Sequence, residues 1–99
     1  MDIKNSIRKL ADFYFEEIVE IRRHLHQYPE LSFHEHDTAR YLESQLNKVG
    51  LSYTRIADTG LTGLVNKLDP EKKTVALRAD IDALPIFEKT RLDYSSKYE

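Results

Sequence analysis

Thr74-Val75-Ala76-Leu77-Arg78-Ala79-Asp80-Ile81-Asp82-Ala83-Leu84-Pro85 is the stretch on which the fold reading turns. Val75, Ala76 and Leu77 form a nearly continuous apolar run, which predicts a strand over Thr74–Ala79 covered on both faces. Such a strand belongs inside a sheet rather than at its edge. Asp80 and Asp82 are then predicted at its C-terminal end, where the loops of an α/β sheet gather into a site. Carboxylates crowded there can bridge a metal, orient a histidine ligand or hold a substrate amine. The plainer reading is that the two aspartates hold a loop and pair with Arg78. Spacing alone favours that plainer reading, because paired aspartates after a strand are common.

Upstream, Asp69-Pro70-Glu71-Lys72-Lys73 reads as a polar turn in which proline presets its own φ. Two shorter candidate strands, Leu51–Ile56 and Leu61–Leu68, flank an Asp58-Thr59-Gly60 turn. Gly60 and Gly63 lack the Gly-Lys-Ser ending or the following helix that a phosphate cradle needs. Further back, Ala39, Leu42, Leu46 and Val49 give a helix one apolar face, and Gly50 suits its C-cap. Ser32, with Glu35 three residues on, predicts a capping box at its start. Before it, Ile7, Leu10, Tyr14, Ile18, Ile21 and Leu25 recur at steps of three or four and predict a long amphipathic helix over Ile3–Tyr28. Phe13, Phe15 and Val19 widen its stripe, so this helix expects a large partner surface. Arg22, Arg23, His24 and His26 fall in its last turns, where the dipole favours positive charge, and Pro29 stops it.

The 99 residues carry a formal charge of -2 and no cysteine, so disulfides and thiolate ligands are excluded. The interspersed charges create no broad positive field for nucleic acid. No stretch of about 20 apolar residues spans a bilayer, and Met1–Asn5 leads into no signal-peptide core. A cytoplasmic protein with no membrane or nucleic-acid partner is expected. His24 with His26, and His34 with His36, are spaced two apart, so on a helix neither pair can chelate jointly. No metal ligand is expected in this chain. His26-x-x-Pro29-Glu30 brings an imidazole near a carboxylate and predicts a buried polar link that fixes the helix end.

Four blocks, in order and with matching gaps, carry a resemblance. Arg22–Ser32 resembles the opening helix and turn of the M20 metallopeptidase family in its amidohydrolase branch; Glu35 with Thr38-Ala39 resembles its second helix. Gly60–Val65 resembles the strand that follows, and Arg78–Pro85 resembles the branch's strand and loop. The resemblance implies an α/β fold: two N-terminal helices followed by strands of the central sheet of a metallopeptidase-like catalytic domain, incomplete here. Residues 1–99 would be the N-terminal part of that domain, with the lid domain and the remaining catalytic segments absent. It implies two divalent metals (zinc, manganese, cobalt or nickel) in the intact enzyme. A water between the metals would attack the amide carbonyl, with a glutamate from a later segment as general base.

Much of the wider family has a histidine ligand where this chain has Arg78, which cannot ligate because its guanidinium offers no acceptor. The branch takes its ligands from a later Cys-Gly-His block and beyond. On this resemblance Asp80 orients groups around the metals, while Asp82 with Arg78 supports the loop. The substrate implied is a small N-acyl amino acid of the hippurate or N-acetyl type, and the intact enzyme is expected to be a homo-oligomer. Residues 1–99 alone are expected to be inactive. The alternatives are a dipeptidase or carboxypeptidase of the same family, against which Arg78 argues, and a non-catalytic association module that buries the wide apolar stripe of the first helix. The polar tail from Arg91 to Glu99 has no natural helix or strand stop and reads as cut.

Overall fold

The computed structural model describes residues 2–66 and 69–98. The chain divides into two compact units, one of Met1–Tyr28 with Phe87–Glu99 and one of Pro29–Ile86.

The first unit is built on α1 (Ile3–Gln27), close to the predicted span. Asp2 caps it, its carboxylate accepting the Lys4 N–H at 3.0 Å, and Tyr28 ends it by donating its N–H to the His24 carbonyl. Ile7, Leu10, Tyr14 and Ile18 stay exposed, as do Phe13 and Phe15, and α1 buries no residue. Residues 87–98 adopt no helix or strand, yet they are tied to the end of α1. The Lys97 N–H donates to the Gln27 carbonyl at 2.8 Å, and the Arg23 guanidinium stands 4.4 Å from the centre of the Tyr94 ring. Cation–π attraction of this kind is favourable even at exposed sites. The tail is therefore a strap on the helix end, which its composition alone did not indicate.

The second unit contains α2 (His36–Lys48), β1 (Tyr53–Ile56) and β2 (Gly60–Gly63). The strands pair antiparallel, with Tyr53 opposite Gly63 and Ile56 opposite Gly60. Both are shorter than predicted. Residues 67 and 68 of the expected second strand lie outside the described residues. The connecting turn holds Ala57 and Asp58 at positive φ (51° and 70°), and a Cβ on Gly60 would stand 2.8 Å from the Ile56 carbonyl oxygen. Glycine is needed there for close approach. Arg55 locks the turn to α2: its guanidinium grips the Glu43 carboxylate at 2.7 and 3.2 Å and donates to the Asp58 carbonyl at 2.6 Å.

Two expectations are corrected. The predicted capping box is not formed: α2 begins only at His36, after Glu35, because Phe33 takes a left-handed φ of 68° that interrupts any earlier turn. The predicted strand over Thr74–Ala79 is not formed either, and Val75 and Leu77 are 83% and 98% exposed. A strand exists only where neighbours take its backbone hydrogen bonds, and among the described residues none pairs with this run. The architecture is two helices followed by a small antiparallel sheet, the pattern of an incomplete α/β domain.

Among the described residues Ala39 is the apolar residue that is fully buried, so little hydrophobic driving force holds this chain together. A broad thermal transition with strong binding of an apolar dye is expected for residues 1–99. A sharp, reversible, monomeric melt at high temperature would contradict this packing.

Candidate functional site

A cleft of about 540 Å³ opens in the second unit. Ser32 and Glu35 line it from the chain entering α2, Ile56, Ala57 and Gly60 from the hairpin, and Arg78 to Asp82 from the segment that follows. Three of the residues singled out from the sequence, Arg78, Asp80 and Asp82, thus meet at one site. Arg78 Nη2 lies 2.8 Å from Asp80 Oδ1, and both side chains are exposed. The plainer reading of the aspartates describes Asp80 well. Asp82, expected to share the arginine, makes no ion pair among the described residues; the guanidinium takes the nearer position 80.

Glu35 is the residue that sequence reading undervalued. It is only 7% exposed, and its carboxylate accepts the Thr59 hydroxyl at 2.7 Å and the His34 N–H at 3.2 Å. Thr59 is itself buried, so the pair pins the hairpin turn to the start of α2. Read locally, Glu35 looked like the reciprocal half of a capping box, which hid its long-range partner.

Capping of α2 falls to Glu30 instead. One carboxylate oxygen accepts the Thr38 N–H at 2.5 Å and the Thr38 hydroxyl at 2.6 Å, and the other accepts the Asp37 N–H at 3.3 Å. Desolvation pushes the Glu30 pKa up, but the Thr38 hydroxyl and N–H and the Asp37 N–H outweigh it and hold the group below the ordinary carboxylate value. The main chain of Glu30 is engaged as well: its carbonyl accepts the Ala83 N–H at 2.8 Å, beside a parallel bridge between Leu31 and Ala83.

His26 and Glu30, expected to form a buried polar link, each bond other partners among the described residues. His26, partly exposed, belongs to the first unit and bonds Glu88 at 2.7 Å through Nε2. Glu88 also accepts the Thr90 hydroxyl and, at 2.9 Å, the Ser96 N–H. The Thr90 hydroxyl first, then the Ser96 N–H, outweigh the opposing desolvation and with His26 hold the Glu88 pKa down to about 2. No sequence motif marks Glu88, because its donors come from both ends of the chain.

The donor set does not fit a metal. Among the described residues no three His, Asp or Glu side chains converge where an ion could sit, and Asp80 is already engaged by a guanidinium. Among the described residues no helix is long and apolar enough to cross a membrane.

Similarity over most of its length relates the chain to hydrolases, amidohydrolases among them. It is 44% identical to a putative amidohydrolase of Bacillus subtilis over 96 residues, 96% of this chain and 24% of the relative. It is 43% identical to thermostable carboxypeptidase 1 of Saccharolobus solfataricus over 98 residues, 96% of this chain and 23% of the relative. With N-acetyl-L-cysteine deacetylase of Bacillus subtilis it shares 46% identity over 86 residues, 84% of this chain and 20% of the relative. The chain therefore spans about a fifth to a quarter of the length of the curated relatives it matches. No family model matches it. No solved structure matches it.

Because the Glu88 pKa lies below its ordinary 4.5, the stability this group confers is complete above that value and is lost as pH falls toward about 2. Carboxyl NMR titration is expected to find Glu88 charged at pH 3.5, and Glu88→Gln to flatten the acid limb of stability. A Glu88 midpoint near 4.5 would show that the strap is not held as described.

Proposed function

We propose that this chain is the opening part of the catalytic domain of a metal-dependent amidohydrolase of the M20 type, cleaving the amide bond of N-acyl amino acids. The observation that carries this reading is the similarity to a putative amidohydrolase across 96% of the chain, which takes in the Arg78–Asp82 wall of the cleft. The deacetylase relative supports an N-acyl amino acid as the substrate class. In the longer protein Asp80 would orient groups beside the reacting amide, with Arg78 fixing its carboxylate and Asp82 supporting the loop. Metals, if bound there, supply Lewis acidity. Their ligands and the general base are assigned to segments beyond residues 1–99, and assembly as a homo-oligomer belongs to the same proposal.

A second reading, a carboxypeptidase of the same family, is favoured by the thermostable carboxypeptidase relative. The two differ in the bond-bearing partner: an acyl group in one, a peptide in the other.

A longer polypeptide containing this segment, purified with its metals, is expected to release amino acid from hippurate or N-acetyl amino acids and to lose this rate with chelator. Residues 1–99 are expected to release none. Asp80→Ala in the longer protein is expected to lower activity about 10 to 100-fold, the usual cost of misplacing groups around a metal. Chelator-sensitive turnover by residues 1–99, or an Asp80→Ala variant with unchanged rate, would overturn the assignment. Turnover of peptides but of no N-acyl amino acid would select the second reading.

A further inference from the structure

We infer that Glu30 is a positioning residue that sets the opening of the cleft, holding one lining segment through its side chain and another through its main chain. Its carboxylate grips Asp37 and Thr38, so it fixes the start of α2 and with it Glu35, three residues before Thr38. Its carbonyl holds the Ala83 N–H at 2.8 Å, directly after Asp82 and three residues after Asp80. Glu35 and the Arg78–Asp80 pair line the cleft together.

Leverage is greatest on the Arg78–Asp82 side. That segment has no helix or strand, and its residues are exposed or only half-buried. Few contacts oppose its displacement, so the Glu30–Ala83 hydrogen bond, with the Leu31–Ala83 bridge beside it, governs where the arginine and aspartates lie. The α2 start is stiffer, since the Glu35–Thr59 bond also holds it. When the carboxylate grip is lost, the main chain at residue 30 is free to turn, and the Ala83 bond loosens with it. The charge suits the position, since a carboxylate at a helix N-terminus meets unpaired N–H groups and the positive end of the dipole. Only the purpose of the cleft rests on the proposed amidohydrolase reading; the mechanical role of Glu30 does not.

Amide hydrogen exchange in a longer polypeptide containing this segment tests this directly. Glu30→Ala is expected to reduce protection at Thr38 and at Ala83 by roughly tenfold, the scale of one lost hydrogen bond. Amides of the β1–β2 hairpin should be unchanged. Glu30→Gln, which keeps an acceptor oxygen, is expected to restore most of the protection at both positions. If the alanine variant does not fold, Thr38→Val serves instead: it removes only the hydroxyl donor and is expected to lower Ala83 protection about threefold with the hairpin intact. Unchanged Ala83 protection when Thr38 protection falls would reduce Glu30 to a helix cap. An equal fall in the hairpin would show general destabilisation. Either result overturns the inference. No catalytic rate enters the experiment, so its failure leaves the amide-cleavage reading untouched, and the reverse holds.

Discussion

A helix N-terminus exposes N–H groups that no residue of the helix can satisfy, and in α2 they are answered by a carboxylate from outside it. Glu30 supplies that charge to Asp37 and Thr38. Much of the second unit depends on this substitution. Because capping is done from residue 30, Glu35 need not cap, and its carboxylate turns to the buried Thr59 hydroxyl. That bond seats the hairpin turn, which Arg55 fastens again through Glu43 and Asp58. The cleft lies among these parts because the same residue that caps the helix also holds Ala83.

Local signals in the sequence were reliable where the structure they specify is local. The apolar periodicity of α1 and α2, Pro29 after the first helix and Gly50 at φ 71° after the second all act within a turn or two of where they stand. Long-range features were hidden for the matching reason. Glu30 caps a helix whose first residue is six positions away, and Glu88 reaches back 62 positions to His26. Neither distance fits a short motif. The Ser32–Glu35 spacing satisfied a local rule that Phe33, with its left-handed backbone, prevented from operating.

The run Thr74–Ala79 shows a different kind of failure. Its apolar side chains carry a strong signal for a covered interior strand, yet Val75 and Leu77 face solvent. A strand is a property of a ladder, and the described residues provide this run with no neighbour. Pattern can specify what a segment needs without supplying it. The site has the same character. Arg78, Asp80, Asp82 and Glu35 make a charged cleft, but the side chains that converge there do not form a metal-binding set. Relatives roughly four times as long share this segment.

On this reading, the segment holds a metal only when further ligands join it. Titration of zinc and manganese into residues 1–99, followed by calorimetry and by metal retention after dialysis, measures that property without reference to any substrate. Weak binding that is lost on dialysis is the predicted result. Two ions per chain retained through dialysis would contradict it.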